Sequence, residues 1–202
     1  MLDRTATALI KPLITRLAKI LLGLGFTANQ ITIIGFLIGL FAAFLITQQA
    51  YTAGAVAILV SRLCDALDGA VARLTQITDA GGFLDIALDF LFYASIPLAF
   101  ALSDPARNAL PAAVLLAAFI GTGSSFLAFA VMAAQRRMTS LDYPDKSFYF
   151  LGGLTEATET LVFFVAMCLW PDSFIELAYG FAALCGVTVG TRIWWGWRTF
   201  QS

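Results

Sequence analysis

Apolar residues dominate the chain in six long stretches, at residues 27–49, 51–72, 82–103, 108–134, 149–170 and 174–195. Each stretch exceeds the ~20 residues that a helix needs to cross the hydrocarbon core of a bilayer. Lipid offers the backbone no hydrogen-bond partners, so spanning segments of this length are expected to be helices. The pattern therefore predicts an all-α, polytopic membrane protein with six transmembrane helices.

The first 24 residues show a helical pattern of another kind. One side of the expected helix is apolar and carries Leu2, Leu9, Leu13, Leu17, Ile20 and Leu24. The other side is basic and carries Arg4, Lys11, Arg16 and Lys19. This pattern predicts an amphipathic helix in the headgroup layer, whose regular part starts or kinks at Pro12. Basic residues interspersed among apolar ones are not typical of a cleavable signal peptide.

The composition agrees with a membrane protein, since 60% of the residues are hydrophobic and 12% are charged. The six stretches leave no room for a separate soluble domain. We therefore expect a single membrane-embedded domain over residues 1–202, with an amphipathic juxtamembrane helix at 1–24 and a six-helix bundle at 27–198. The lipid bilayer is its expected environment, and no nucleic-acid partner is expected.

The positions of the basic residues predict the orientation. All of them except Arg62, Arg107 and Arg192 fall before the first stretch, between the second and third, between the fourth and fifth, or after the sixth, and Arg192 lies near the end of the sixth. Cytoplasmic loops of membrane proteins carry an excess of Lys and Arg. Both termini are therefore predicted to be cytoplasmic, in a prokaryotic-type inner or plasma membrane.

Acidic residues are concentrated in the stretch SRLCDALDGAVARLTQITDAGGFLDIALDF at residues 61–90. Asp65 and Asp68 are three residues apart near the end of the second stretch, so they share a helix face. Gly69 and Ala72 lie on that face too, and they leave room for a ligand near the backbone.

A matching line of Gly81, Asp85 and Asp89, spaced by four, opens the third stretch. A short connector makes the two helices antiparallel neighbours. We therefore expect four carboxylates to converge just inside the cytoplasmic face of the membrane.

An aspartate at the bilayer centre costs about 2.5–3.5 kcal/mol on insertion scales, and four together repel one another. Protonation or a divalent cation would relieve that repulsion. Carboxylate oxygens favour Mg²⁺, Mn²⁺ or Ca²⁺. A zinc site is disfavoured, because the chain has no histidine and its cysteines are far apart. Two ions about 3.5–4 Å apart suit phosphoryl chemistry.

Arg73 follows the first pair of aspartates at the cytoplasmic end of the second stretch. It can anchor a helix end on the cytoplasmic side or bind a phosphate through two hydrogen bonds. Beside four carboxylates, the second interpretation is favoured and the expected ligand is a diphosphate.

The pattern Asp65-x-x-Asp68-Gly69-x-x-Ala72-Arg73, followed by Gly81-x-x-x-Asp85-x-x-x-Asp89, resembles the signature of the CDP-alcohol phosphatidyltransferases. In the first stretch, Asn29 and Thr32 look like the family's Pro-Asn-x-x-Thr element, with Ala28 in place of proline. The spacer LTQITDA has seven residues where the family usually has eight. Gly81 rather than Gly82 keeps the helical spacing to Asp85.

The resemblance implies an enzyme of phospholipid biosynthesis that transfers a phosphatidyl group from CDP-diacylglycerol to a small alcohol and releases CMP. It implies that Asp65, Asp68, Asp85 and Asp89 bind the divalent metal, most simply two Mg²⁺ ions, and that Asp89 is also the general base. The substrate-binding residues that it implies are Asn29, Thr32, Asp65, Gly69, Ala72, Arg73 and Gly81. It also implies a homodimer.

Glu156 and Arg62 are two further charged residues, and each can be interpreted in two ways. Glu156 either lines the acceptor pocket or is a carboxylate at a helix N-terminus, where the helix dipole favours it. Arg62 lies one turn before Asp65 and is expected to pair with a carboxylate rather than to contact substrate.

Other functions are compatible with intramembrane aspartates. A cation transporter or channel is the main alternative, and a catalytically silent scaffold is weaker. The signature describes the shared nucleotide half of the reaction. It therefore leaves the acceptor open among glycerol 3-phosphate, serine, inositol, inositol phosphate and less common alcohols, and it also leaves a soluble CDP-alcohol donor open.

Overall fold

A computed structural model of the protein describes residues 2–136, 138 and 155–201, with side chains from residue 11 onward. The described residues form helices and contain no strand, which confirms the all-α class. The helices are α1 (Leu2–Gly23), α2 (Ala28–Thr47), α3 (Tyr51–Leu74), α4 (Asp79–Ser103), α5 (Pro105–Gln135), α6 (Ala157–Leu169) and α7 (Phe174–Phe200). A 3-10 turn at Pro171–Ser173 precedes α7.

Local capping signals fix where the helices begin. Thr27 and Gln30 form a capping box at the start of α2, and the Thr78 side chain accepts a hydrogen bond from the Gly81 N–H at the start of α4. The Asp104 side chain caps α5, whose first residue is proline. Such caps satisfy backbone N–H groups that have no partner within the helix. The connections are short, so consecutive helices from α2 to α5 run antiparallel.

Helix α2 lies against α3 and α4, and its two buried glycines make this close approach feasible. A Cβ atom added at Gly35 would lie 2.7 Å from the Cys64 Cβ, and one added at Gly39 would lie 2.5 Å from the Phe92 Cδ2. The spacing Gly-x-x-x-Gly therefore serves packing within the chain here. In α7, Gly186 and Gly190 have the same spacing but face open space.

Aromatic rings fill the core between α4, α5, α6 and α7. Five phenylalanines of the described residues are fully buried: Phe92, Phe100, Phe164, Phe174 and Phe181. The ring centroids of Phe100 and Phe174 are 4.5 Å apart. This packing joins the C-terminal half of the bundle to α4, which carries two of the motif aspartates.

Four of the described helical segments are long and apolar enough to cross a membrane: Ala28–Thr47, Asp79–Ser103, Pro105–Gln135 and Pro171–Phe200. Helix α3 is long enough to cross a membrane, but its charged residues exclude it from these four. Helix α6 is too short to be counted, with 13 described residues. Residues 149–154 of the predicted fifth stretch lie outside the described residues. The structure thus supports a membrane protein with about four apolar helices, and the count of six stays a prediction.

Helix α1 is continuous through Pro12, so the helix does not start there, and a kink at Pro12 stays a prediction. A proline costs least near a helix start, yet here the helix extends before it. Ile14 and Ala18 are buried in a cluster with Leu67 and Val71 of α3. The predicted apolar side is exposed at Leu13, Ile20 and Leu24, while the side chains of residues 2–10 lie outside the description. The location of α1 in the headgroup layer therefore stays a prediction.

Candidate active site

The motif aspartates converge where α3 and α4 lie side by side. Asp65 of α3 and Asp85 and Asp89 of α4 each offer an oxygen atom, and these atoms all lie within 4.8 Å of one another. The three residues are half-buried, so they are partly desolvated but still reachable. The helical spacing of four places Asp85 and Asp89 on one face, and the short connector at 75–78 turns that face toward Asp65.

Asp68 belongs to the same cavity but not to this group of three. The cavity lies between α2, α3 and α4, and it is lined by Thr32, Gly35, Phe36, Ser61, Arg62, Asp65, Asp68, Asp85, Leu88 and Asp89. Asp68 is only 5% exposed, and its Oδ2 atom is buried without a hydrogen-bond partner among the described residues.

These four carboxylates fit a divalent cation. A buried carboxylate oxygen without a partner is costly, and a cation would stabilise it. The donors are all oxygen atoms, which suits Mg²⁺ or Mn²⁺ better than a metal that prefers nitrogen or sulfur. The arrangement can therefore hold a hard metal ion, with Asp68 on the α2 side of the group.

Arg62 lies directly behind the aspartates. Its Nη1 atom donates to the Asp89 Oδ1 atom at 2.6 Å and to the Asp65 Oδ1 atom at 3.2 Å. Its guanidinium carbon lies 4.0 Å from the ring centroid of Phe92 and 5.7 Å from that of Tyr93. The expected pairing with a carboxylate is therefore present, and it joins α3 to α4.

The first turn of α2 meets the first turn of α4. A Cβ atom added at Gly81 would lie 3.1 Å from the Asn29 Oδ1 atom and 3.0 Å from the Thr78 Oγ1 atom, whereas one added at Gly82 would meet nothing within 4 Å. The absence of a side chain at Gly81 thus lets Asn29 approach the helix.

Arg73 reaches back along its own helix. A Cβ atom added at Gly69 would lie 3.3 Å from the Arg73 Nη1 atom, so the guanidinium lies over Gly69. Ala72 is half-buried beside it, and Arg73 itself is exposed. The small residue at position 69 thus leaves room for the guanidinium on the surface of α3.

Glu156 lies at the start of α6. Its backbone N–H donates to the Glu159 Oε2 atom at 3.2 Å, in a capping box. Its carboxylate attracts Arg192 of α7, whose Nη1 atom donates to the Thr122 carbonyl at 3.0 Å. Glu156 is not among the described residues that line the aspartate cavity. Glu156 therefore belongs to a polar cluster at the start of α6 that includes Glu159 and Arg192.

Sequence reasoning missed the aromatic side of the site. Phe92 and Tyr93 hold the Arg62 guanidinium, and Ser61 donates to the Gly35 carbonyl at 2.7 Å beneath it. A signal was present, because Phe92 follows Asp89 by three residues and shares its helix face.

Comparison with known proteins identifies the family. Residues 26–194 match the family model described as CDP-alcohol phosphatidyltransferase, which covers most of the chain and every motif residue. The chain belongs to the CDP-alcohol phosphatidyltransferases. It is thus an enzyme of phospholipid synthesis with apolar membrane helices.

Two relatives of this phosphatidyltransferase are similar along most of their length. Inner membrane protein YnjF of Escherichia coli is 51% identical over 202 residues, which are 100% of this chain and 98% of that protein. Archaetidylinositol phosphate synthase of Pyrococcus horikoshii is 32% identical over 180 residues, which are 84% of this chain and 91% of that protein.

Two crystal structures of Mycobacterium tuberculosis phosphatidylinositol phosphate synthase share the fold of this phosphatidyltransferase at 22% identity. The structure with CDP-DAG bound has a TM-score of 0.67 and covers 91% of this chain and 93% of its own. The structure in complex with manganese and citrate has a TM-score of 0.69, with coverages of 91% and 88%.

Proposed function

We propose that this protein transfers a phosphatidyl group from CDP-diacylglycerol to the hydroxyl of a small alcohol, releases CMP, and requires a divalent metal. The observation that carries the proposal is the convergence of Asp65, Asp85 and Asp89 beside the unpartnered Asp68 oxygen. Family membership supplies the reaction class, and the geometry supports these residues as the site.

The four aspartates would hold the metal. Their oxygen-only donor set favours Mg²⁺, with Mn²⁺ or Ca²⁺ as alternatives, and four carboxylates offer enough negative charge for two ions. A bound metal supplies positive charge that stabilises a diphosphate as its bond to CMP breaks. The manganese complex of the Mycobacterium tuberculosis enzyme supports this metal class.

The donor nucleotide would lie over the first turns of α2 and α4 and the last turns of α3. Asn29, Thr32 and Gly81 surround one side of this region, and Gly69, Ala72 and Arg73 surround the other. Arg73 would donate two charge-assisted hydrogen bonds to a phosphate. The CDP-DAG complex of the Mycobacterium tuberculosis enzyme supports this donor, whose tails can stay in the bilayer.

Asp89 would act as the general base. A base must lie within hydrogen-bond reach of the proton that it removes, and Asp89 is half-buried and lines the aspartate cavity. In the metal-free protein its Oδ1 atom accepts a hydrogen bond from Arg62.

Glu156 would line the acceptor pocket together with Arg192. A pocket that carries both charges suits a hydroxyl-rich or zwitterionic alcohol better than a strongly anionic one, because the Glu156 carboxylate opposes added negative charge. The names of two relatives refer to inositol phosphate lipids, so inositol phosphate belongs in the acceptor panel beside inositol, glycerol 3-phosphate and serine.

The same proposal covers the arrangement in the membrane. The chain forms one domain over residues 1–202, with six spans, α1 in the headgroup layer, and both termini and the active site on the cytoplasmic face. The relative named as an inner membrane protein supports that membrane. A homodimer is proposed from the resemblance alone.

The test is metal-dependent release of CMP from CDP-diacylglycerol by the detergent-purified protein, with a panel of alcohols and mass spectrometry of the lipid products. Chelation should abolish release, and Asp89→Asn should lower it by about 10²–10⁴-fold. Asp172→Asn is the matched control, because Asp172 is a fully exposed carboxylate at the other end of the bundle. No release with any alcohol would contradict CDP-diacylglycerol as the donor and favour the soluble CDP-alcohol donor that the signature leaves open.

A further inference from the structure

Arg62 is an unusual neighbour for a cation site. Its guanidinium is permanently charged, and its side chain is only 13% exposed. Its Nη1 atom contacts Asp65 and Asp89, which are two of the three residues whose oxygens lie within 4.8 Å of one another. The Arg62 guanidinium and a divalent ion would therefore interact with the same two carboxylates.

Two aromatic rings also contact the Arg62 guanidinium. It stacks over Phe92 and lies near Tyr93, and both rings attract a cation through their faces. Its Nε atom is buried and has no hydrogen-bond partner among the described residues. The two carboxylates are therefore the charged groups that position it, and the rings can hold it when those carboxylates turn to another cation.

Electrostatics predicts that Arg62 weakens metal binding at this site. A unit positive charge within hydrogen-bond distance of two ligand carboxylates stabilises them without metal and repels an incoming divalent ion. The same contact keeps α3 and α4 together when no metal is bound, because it offsets the repulsion among the carboxylates.

We propose that Arg62 is a built-in counter-cation of the aspartate site, which stabilises the metal-free protein and competes with the divalent metal for Asp65 and Asp89. This inference rests on the proposed metal site, and it concerns Arg62 rather than the ligands. Arg62 is thus a positioning residue that lowers metal affinity and keeps the empty site folded.

The experiment measures Mn²⁺ binding by electron paramagnetic resonance and thermal unfolding with Mn²⁺ or with chelator, both on the full detergent-purified chain. Arg62→Gln removes the charge but keeps a hydrogen-bond donor, and Arg62→Lys keeps the charge. We expect Arg62→Gln to bind Mn²⁺ about tenfold more tightly than wild type, and Arg62→Lys to bind within about threefold of it. Arg107→Gln removes an exposed positive charge at the far end of the bundle, so its affinity should not change.

Thermal unfolding provides a second readout. Arg62→Gln should melt lower than wild type in chelator, and Mn²⁺ should raise its melting temperature more than that of wild type. A variant that folds only with Mn²⁺ would also support the proposal. If Arg62→Gln does not fold in either condition, Arg62→Met takes its place, because the Met side chain can fill the slot beside Phe92.

Two outcomes overturn the inference and separate it from the proposed function. If wild type binds Mn²⁺ but both neutral variants bind it equally or more weakly, or neither folds, Arg62 is not a competitor and the metal site stands. If wild type binds no divalent ion, the metal dependence fails and the inference fails with it.

Discussion

The positions of the polar side chains in this site depend on neighbouring glycines. The Arg73 guanidinium lies over Gly69, and Asn29 approaches the Gly81 backbone. In both places a methyl group would occupy space that a polar side chain now uses. Small residues of the motif therefore control where its polar residues lie.

Gly69→Ala should reduce donor binding without unfolding the protein. Its Cβ would lie 3.3 Å from the Arg73 Nη1 atom, so the guanidinium must move by a few tenths of an ångström. We expect a rise of about tenfold in KM for CDP-diacylglycerol, the equivalent of losing one charge-assisted hydrogen bond. Alanine also favours the helix by up to about 1 kcal/mol, so the melting temperature should not fall.

Gly180→Ala is the control for this prediction, since a Cβ atom added at Gly180 of α7 would meet nothing within 4 Å. It should leave KM unchanged. An unchanged KM in Gly69→Ala as well would show that Arg73 does not need its present position to bind the donor.

Glu156→Gln should change the acceptor kinetics and not those of the donor. If the carboxylate lines the acceptor pocket, its loss should raise the acceptor KM about tenfold, as expected for one hydrogen bond to a charged group. Steady-state assays with each substrate varied in turn measure both constants. An unchanged acceptor KM would limit Glu156 to capping α6, and Glu176→Gln, in the first turn of α7, controls for loss of an acidic residue near a helix start.

At the scale of helices, the site depends on how closely α2, α3 and α4 approach. Gly35 and Gly39 of α2 are buried against α3 and α4, and the Ser61 hydroxyl donates to the Gly35 carbonyl at 2.7 Å. Phe92 lies next to Gly39 and also beneath Arg62. The packing of α2 is thereby linked to the position of the guanidinium that joins α3 to α4.

Gly39→Ala should destabilise the bundle. Its Cβ would lie 2.5 Å from the Phe92 Cδ2 atom and 3.0 Å from the Ser61 Oγ atom, and both of those side chains are fully buried. Overpacking of this kind costs about 1–3 kcal/mol, less the helix preference of alanine. We expect the melting temperature in detergent to fall by about 2–8 °C. Gly186→Ala, which faces open space, should not lower it, and equal melting of the two variants would contradict the packing argument.

Helical periodicity was enough to predict the core of the site. The spacing of Asp85 and Asp89, and the position of Arg62 one turn before Asp65, fix which side chains share a face, because a helix determines that locally. The short connector then implies that the two faces are neighbours. The contacts of Arg62 with two carboxylates follow from these local rules.

Contacts between distant segments could not be predicted in this way. The sequence did not distinguish the buried glycines of α2 from Gly186 and Gly190 of α7, because their spacing is the same and only the partner helix differs. It did not separate Asp68 from the other three aspartates, since that depends on how α2 covers α3. The continuity of α1 through Pro12 likewise depends on packing of Ile14 and Ala18 against α3.

At the scale of the whole molecule, the charges divide between the two ends of the bundle. Arg136 at the end of α5 donates to the Phe200 carbonyl at 2.7 Å, next to Arg198. At the other end, the Arg107 Nη1 atom lies 3.7 Å from the Asp172 Oδ1 atom. The end with more basic residues is also the end where α3 is connected to α4, close to the motif aspartates. The distribution fits cytoplasmic access for a nucleotide-activated lipid.

The orientation can be tested with single cysteines at the two ends of α7. Asp172 precedes this helix and Gln201 follows it, and both are exposed. The 27 residues of α7 span about 40 Å at 1.5 Å per residue, enough to place the two positions on opposite sides of the membrane. If the termini are cytoplasmic, a membrane-impermeant maleimide should label Asp172→Cys in intact spheroplasts and Gln201→Cys only after lysis.

The unsubstituted protein gives the background, which should be low because Cys168 and Cys185 are buried and Cys64 is half-buried within α3. Labelling of Gln201→Cys in intact spheroplasts, with Asp172→Cys protected until lysis, would show that the topology is the reverse of the predicted one. The aspartate cavity would then open away from the cytoplasm. A CDP-activated donor made in the cytoplasm could not reach it from that side without crossing the bilayer, so this single labelling pattern would contradict both the orientation and the proposed route of the donor.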